Sequence, residues 1–88
     1  MYYIYILYSA SSDLYYIGYT NDYKRRLKQH NEQEYFNTFT SRHRPWILKA
    51  LFEVGSSEGE AMKIEKFIKK QKSRKLIEQM IEAKIYQV

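Results

Sequence analysis

The sequence predicts an α+β fold in which a three-stranded antiparallel sheet is flanked by three helices. Two short runs rich in Tyr and Ile near the N-terminus have the composition of strands. One alternating apolar run and three stretches with helical spacing make up the rest, in the order β-β-α-β-α-α. That order requires no parallel pair, so the simplest packing lays the helices on the sheet. A single domain spanning residues 1–88 is expected for this length.

The first two strands are predicted to form a β-hairpin. They cover residues 2–8 and 14–19, and turn-forming Ser, Ala and Asp residues separate them. If residues 9–12 form a four-residue loop, Tyr5 lies directly opposite Tyr16 and both side chains share one face of the sheet. A slip of one residue would put them on opposite faces.

Gly18 lies late in the second strand, where a glycine weakens pairing. A bulge or the close approach of another backbone or a ligand would explain it, and so would the end of the strand. The sequence leaves these explanations open.

A first helix is predicted from about residue 22 to about residue 33, with Asp22 supplying N-cap chemistry. Its apolar stripe is continued by His30, and Arg26 lies four residues before His30 on the same side. A surface pair between Asp22 and Arg26, with His30 at the helix edge, is the structural alternative.

The middle of the chain is predicted to be a loop and the third strand. Residues 34–45 are polar, rich in Ser and Thr and basic at their end, which favours a mobile loop. Residues 46–54 alternate, so one face of the strand is expected to hold Leu48, Ala50, Phe52 and Val54.

Two helices are predicted to end the chain. Ser57 and Glu60 form a capping box, and the helix that follows is expected to bury Ala61, Ile64, Phe67 and Ile68. Glu65 falls beside that stripe rather than opposite it. Ser73 can cap the last helix, whose inward face is expected to hold Leu76, Ile77, Met80 and Ile81. The tail from residue 85 onward is expected to pack loosely or fray.

Composition restricts the function. Fifteen Lys and Arg residues against ten Asp and Glu residues give a formal charge of +5, which favours a polyanion such as nucleic acid as partner. The absence of Cys excludes disulfide partners, thiolate zinc sites and Cys nucleophiles. No apolar run approaches the length of a membrane span, and the N-terminus lacks the features of a signal peptide. A cytoplasmic protein without a membrane role is therefore expected, while protein partners are not indicated.

Two tripeptides carry a resemblance to a known family. Tyr3-Ile4-Tyr5 and Tyr16-Ile17-Gly18, at this separation, resemble the GIY-YIG nucleases, and so do the positions of Arg26, His30 and Glu65. The pattern covers nearly the whole chain. It is most similar to small stand-alone bacterial members related to the nuclease module in the C subunit of the bacterial excision-repair nuclease.

The resemblance implies a hydrolase, a metal-dependent endonuclease acting on nucleic acid, with DNA favoured and a part in processing branched or damaged DNA. It implies a divalent metal, usually Mg²⁺, bound by Glu65. The catalytic residues implied at matching positions are Tyr5, Tyr16, Arg26, His30 and Glu65.

These residue types suit phosphodiester hydrolysis. Arg26 can neutralise phosphate charge with a bidentate fork, and Glu65 offers Mg²⁺ a hard oxygen ligand. Tyr5 could take a proton from water if its pKa fell well below about 10, and His30 could serve as base or relay instead. Which of the two is the general base stays open. Each residue also has a structural alternative: packed aromatics for the two tyrosines and an ion pair with Lys69 for Glu65.

The chain departs from the family pattern at two points. The first tripeptide opens with Tyr3 instead of Gly, and no Asn follows Asn37, although many members carry one late in the chain. A catalytically weak or silent nucleic-acid-binding module on the same scaffold is therefore the alternative function.

Binding outside the catalytic centre is expected to be electrostatic and sensitive to salt. Between residues 63 and 75 there are seven Lys or Arg residues and one acidic residue, although part of this run is a solvated helix face. The candidate nucleic-acid-binding residues are Arg42, Arg44, Lys63, Lys66, Lys69, Lys70 and Arg74.

Overall fold

The structure is a computed structural model that describes residues 1–33 and 36–85, with side chains up to residue 83. It confirms the predicted α+β fold and order of elements, and adds one short helix. The strands are β1 (Tyr2–Ser9), β2 (Leu14–Thr20) and β3 (Ile47–Gly55). The helices are α1 (Tyr23–Glu32), α2 (Thr38–Ser41), α3 (Glu58–Gln71) and α4 (Arg74–Ile85). The expected tail beyond residue 85 lies outside the described residues.

The sheet has the order β2-β1-β3, and both pairs are antiparallel. In the hairpin, Tyr5 lies opposite Gly18 and Tyr16 lies opposite Leu7, so the predicted register is wrong by two positions. Because the error is an even number, the prediction that Tyr5 and Tyr16 share a face is confirmed. The loop occupies residues 10–13 rather than 9–12.

Asp13 accounts for the difference in the hairpin loop. It adopts a left-handed conformation with φ 53°, which Asp tolerates better than most residues. Its carboxylate accepts hydrogen bonds from the Tyr8 hydroxyl at 2.7 Å and from the Arg74 guanidinium at 2.6 Å. The arginine comes from the last helix, so its contribution to the loop could not be read from local sequence.

Gly18 is explained by the side chain opposite to it. A Cβ atom at Gly18 would collide with the ring and hydroxyl of Tyr5. The β1–β2 register shows no bulge at this point, and the close approach is by a side chain rather than by a backbone. The glycine thus creates the space in which the Tyr5 ring lies across β2.

The two faces of the sheet carry separate apolar clusters. One face packs against α3 and α4 through Ile4, Ile6, Ile17, Ala50, Ile68 and Ile81. The other face, on which α1 packs through Leu27, holds Tyr5, Leu7, Tyr16, Trp46, Leu48 and Leu51. The expectation that Leu48 shares a face with Ala50 is therefore wrong. The cause is a register shift between the partners of Ile6 and Leu7, which turns Leu48 to the second face.

Helix α1 begins and ends as predicted, and both ends are capped by side chains. The Asp22 carboxylate accepts a hydrogen bond from the backbone N–H of Arg25. At the other end, the Arg44 guanidinium donates to the carbonyl oxygens of Gln29, His30 and Gln33. These contacts add to the pairing of the carbonyl groups at the end of the helix, where the Gln29 carbonyl also accepts from the Gln33 N–H.

The segment predicted as a mobile loop over residues 34–45 contains the short helix α2, so the prediction of irregular structure is wrong over Thr38–Ser41. Asn37 caps α2 by accepting a hydrogen bond from the Thr40 N–H at 3.0 Å. The Thr40 carbonyl accepts from the Trp46 indole N–H at 2.8 Å, and the Asn31 side chain bonds both the N–H and the carbonyl of Trp46. Residues 34 and 35 lie outside the described residues.

Helices α3 and α4 begin at the predicted serine caps. Ser57 Oγ accepts from the Glu60 N–H, and Ser73 Oγ accepts from the Leu76 N–H. Phe67, expected inside, is 64% exposed because the buried stripe centres on Ala61 and Ile68, and Phe67 lies about 100° away from it. Among the described residues, no helix has the length and apolar character that crossing a membrane requires.

Candidate active site

A chain of hydrogen bonds connects β1, α1 and α2 on the second face of the sheet. The Tyr5 hydroxyl lies 2.9 Å from Nε2 of His30. Nδ1 of the same imidazole lies 2.9 Å from Oγ1 of Thr40. His30 and Thr40 are each no more than 1% exposed. The imidazole is therefore held at both nitrogens by buried partners.

The hydrogen-bond pattern indicates which nitrogen of His30 carries the proton. The Thr40 hydroxyl lies 3.4 Å from the Asn37 carbonyl oxygen, to which it can donate its hydrogen. Its oxygen is then an acceptor for Nδ1–H of His30. In a neutral imidazole this leaves Nε2 as the acceptor of the Tyr5 hydroxyl. Burial, together with the positive charges of Arg26 and Arg44, lowers the pKa of His30 to about 4, so the ring is neutral at neutral pH.

Tyr5 lies where the predicted residues meet. Burial, followed by the proximity of Tyr16, raises the pKa of Tyr5 above its usual value; Arg26 lowers it and Glu65 raises it further. Arg26 and Glu65 come from helices on different faces of the sheet, since α1 packs on the second face and α3 on the first.

Tyr16 occupies the β2 side of this site. Its hydroxyl accepts a hydrogen bond from the Asn37 amide at 3.3 Å, and its ring centroid lies 4.9 Å from that of His30 and 6.4 Å from that of Tyr5. Lys69 from α3 places its ammonium 5.1 Å from the centroid of the Tyr16 ring. The Tyr16 ring thus contacts groups from both sides of the sheet.

Arg26 is not used for a structural ion pair. Its guanidinium lies over the Phe36 ring, 5.5 Å from the centroid, and it forms no salt bridge with any described residue. The surface pair with Asp22 is therefore not formed. Among the described residues the half-buried Arg26 guanidinium has no ion-pair partner, and its positive charge contributes to the lowered pKa of His30, so it is suited to an anionic ligand.

Glu65 makes the ion pair that was its structural alternative. Its carboxylate lies 3.3 Å from Nζ of Lys69, and its side chain is 16% exposed. In the part of the chain that the structure describes, no three His, Asp or Glu side chains are grouped as a metal site would require. Glu65 is thus a half-buried carboxylate that is already paired with an ammonium group.

The predicted nucleic-acid-binding residues differ in their surroundings. Arg42, Lys66 and Lys70 are exposed and have no ion-pair partner among the described residues. The others have structural contacts: Arg44 with the end of α1, Lys63 with Glu60, Lys69 with Glu65, and Arg74 with Asp13 and Glu78.

Sequence reasoning missed Asn37 and Thr40. They fix His30 and Tyr16 from α2, a helix of four residues that lies inside the predicted loop. The available signal was Asn37 three residues before Thr40, a spacing typical of an N-cap. Many family members carry an Asn late in the chain, and this chain has none after Asn37. Here Asn37 itself contacts the candidate site through the Tyr16 hydroxyl.

The comparisons with known proteins bear on this geometry. The family model described as the GIY-YIG catalytic domain matches residues 1–78 of the 88-residue chain. The chain belongs to the GIY-YIG family. No curated protein and no solved structure matches it.

Membership of the GIY-YIG family gives the general class of activity. The family is one of nucleases, its members generally depend on a divalent metal, and a nuclease domain binds nucleic acid. In this GIY-YIG chain the atypical Tyr3 packs edge-on against Tyr23, with ring centroids 5.4 Å apart. The departure at Tyr3 therefore has a packing role against α1.

Proposed function

We propose that this chain is a Mg²⁺-dependent endonuclease that hydrolyses phosphodiester bonds, preferably of DNA, with residues 1–88 forming one domain. The observation that carries the proposal is the buried hydrogen bond between the Tyr5 hydroxyl and Nε2 of His30, on the face of the sheet where α1, the helix of Arg26, packs. A role in processing branched or damaged DNA and a cytoplasmic location are predictions that rest on the resemblance and the sequence.

Arg26 is proposed to bind the scissile phosphate. Its guanidinium is free of acidic partners among the described residues and lies over the Phe36 ring. A bidentate contact with two phosphate oxygens would orient the phosphorus beside Tyr5 and offset charge that develops in the transition state.

Glu65 fits the requirements of a divalent cation. Mg²⁺ keeps several waters and is held through one or two carboxylates together with substrate phosphate. The Glu65 carboxylate, whose side chain is 16% exposed, can supply one such oxygen ligand. When bound, the cation would supply positive charge to the leaving oxygen and lower the pKa of a nearby water or phenol. Lys69 would then give up its ion pair with Glu65.

Tyr5 and His30 are proposed to move the proton. Burial raises the pKa of Tyr5, so the phenol does not ionise unaided. Nε2 of His30 is an acceptor 2.9 Å away, and Thr40 holds the opposite nitrogen protonated. Tyr5 can therefore take a proton from the attacking water as it passes its own proton to His30. Because burial and two arginines lower the pKa of His30 to about 4, this transfer requires that the bound cation and Arg26 make the water more acidic.

The test compares matched pairs of variants in a Mg²⁺-dependent cleavage assay on plasmid and oligonucleotide DNA. Glu65→Gln is expected to reduce cleavage by about a hundredfold or more, whereas Glu60→Gln, which breaks a similar Lys–Glu pair on the same helix, leaves it unchanged. Arg26→Ala is expected to reduce cleavage as strongly as Glu65→Gln does. Arg25→Ala, which changes the exposed neighbouring arginine, is expected to cleave as wild type does. Equal cleavage by all five proteins would indicate a contaminating nuclease and overturn the proposal.

A silent nucleic-acid-binding module is the alternative, and the Glu65–Lys69 ion pair favours it. An ammonium 3.3 Å from the carboxylate already neutralises the charge that a cation would need. This alternative predicts binding that weakens steeply with salt and no metal-dependent cleavage of any DNA form. Turnover that is lost in Glu65→Gln would exclude it.

A further inference from the structure

Phe39 presents an exposed aromatic ring beside the candidate active site. The side chain is 45% exposed, although aromatic rings of this size are usually covered in a small protein. It lies on α2 and stacks on Tyr16, with ring centroids 6.2 Å apart and planes inclined by 27°. It also contacts the rings of His43 at 4.9 Å and Trp46 at 6.2 Å.

The helix that carries Phe39 is held in place by hydrogen bonds to α1, β2 and Trp46. The neighbouring Thr40 is fully buried and bonds His30, while its carbonyl accepts from the Trp46 indole. Asn37 caps the same helix and donates to the Tyr16 hydroxyl. Phe39 is thus an anchored ring with an exposed part rather than a side chain on a loose segment.

The charge around Phe39 is suited to a polyanion. Residues 36–46 contain Arg42, His43 and Arg44 and no acidic residue. The Lys69 ammonium lies over the Tyr16 ring, on which Phe39 stacks. This segment carries an exposed arginine, Arg42, and no carboxylate, so the surface beside Phe39 favours a nucleotide over an apolar protein partner.

We propose that Phe39 is a stacking platform for one unpaired nucleobase of DNA, next to the phosphate held at the catalytic centre. Bases inside an intact duplex are already stacked on each other, whereas the base of a flap, gap, bulge or single strand has a free face. The proposal rests on the proposed nuclease function and gives it a substrate class: DNA with an unpaired nucleotide beside the scissile bond.

The test measures binding by fluorescence anisotropy at low salt, with EDTA present so that no cleavage occurs. The probes are a fully paired duplex, the same duplex with a short single-stranded flap, and the flap strand alone. Phe39→Leu keeps an apolar side chain of similar size and removes the aromatic face. It is expected to weaken binding to the two probes with unpaired bases about tenfold and to leave duplex binding unchanged.

Phe67 provides the matched control, since it is an exposed phenylalanine on α3 that lies on the opposite side of the helix from Glu65. Phe67→Leu is expected to bind all three probes as wild type does, and Phe39→Trp to retain the preference for unpaired bases. Equal effects of Phe39→Leu on paired and unpaired probes, or no effect on either, would overturn the proposal.

A second measurement needs no variant. A 2-aminopurine base placed at the unpaired position beside the junction loses fluorescence when it stacks. Addition of wild-type protein is expected to quench it, and unchanged fluorescence at saturating protein would overturn the proposal even if Phe39→Leu does not fold. If quenching occurs but Mg²⁺ produces no cleavage, the nuclease function fails and the platform stands. If cleavage occurs but Phe39→Leu does not selectively weaken binding to the probes with unpaired bases, the platform fails and the nuclease function stands.

Discussion

Replacement of Gly18 by Ala is expected to disturb the candidate site through the side chain on the neighbouring strand. The new methyl group would occupy the space of the Tyr5 ring and hydroxyl, and the ring can move only by disturbing its neighbours because it is 3% exposed and packed in the core. Tyr5 must therefore shift, which breaks its 2.9 Å hydrogen bond to His30.

The size of the effect follows from two contributions. Insertion of a methyl group into a packed core costs about 1–3 kcal/mol. Loss of the Tyr5 hydrogen bond leaves Nε2 of the buried His30 without its partner, at a cost of about 1–3 kcal/mol. Since the two overlap, we expect the free energy of unfolding to fall by about 2–4 kcal/mol, a large part of the ~5–15 kcal/mol typical of a domain.

Urea denaturation followed by circular dichroism measures this change, with Gly59→Ala as the control. Gly59 lies in α3, where a Cβ atom meets nothing closer than the Ser57 hydroxyl at 3.7 Å, so alanine should stabilise the helix by up to about 1 kcal/mol. In a Tyr5→Leu background the cost of Gly18→Ala should fall below about 1 kcal/mol, because the ring is gone. If Gly18→Ala costs the same in both backgrounds, Tyr5 is not the reason for the glycine.

Two further predictions concern the buried imidazole. Because the pKa of His30 is lowered from 6.5 to about 4, the unfolded chain takes up a proton in this range that the folded chain does not, so stability should fall by up to about 3 kcal/mol as pH drops from 6.5 to 4. Urea denaturation across this range should show this decrease in the free energy of unfolding with falling pH in wild type and in His43→Gln, and a smaller decrease in His30→Gln. Equal decreases in all three proteins would contradict the lowered pKa of His30. Thr40→Val removes the acceptor of Nδ1–H and should cost about 1–3 kcal/mol and lower cleavage, whereas Thr40→Ser should restore both. Equal stability of the valine and serine variants would contradict a hydrogen bond at this position.

The sequence was informative where structure is local. Composition and periodicity predicted the order of elements, the caps at Asp22, Ser57 and Ser73, and the position of Glu65 beside a buried stripe. The shared face of Tyr5 and Tyr16 followed from the period of two along a strand, and survived an error in register because the error was even.

The features that the sequence did not predict depend on partners far along the chain. The hairpin loop is set at Asp13 with help from Arg74, which is 61 residues away. Helix α2 is held through Thr40 by His30 and Trp46, and none of these contacts has a local signature. Leu48 changed face because of a bulge, which alternation cannot reveal. The positions of the candidate catalytic residues came from the family resemblance, since each of them has an ordinary structural explanation when taken alone.

The central position of β1 has a consequence for how the protein would lose activity. Its amides are paired on both sides, so the segment around Ile4 and Leu7 should exchange hydrogen only when the whole sheet opens. Tyr5 belongs to this slowest-exchanging segment, whereas Arg26 and Glu65 belong to helices on opposite faces, which can open separately. Partial unfolding of either helix would move Arg26 or Glu65 from its native position while Tyr5 stays in place. Activity in mild denaturant should therefore disappear before the sheet does.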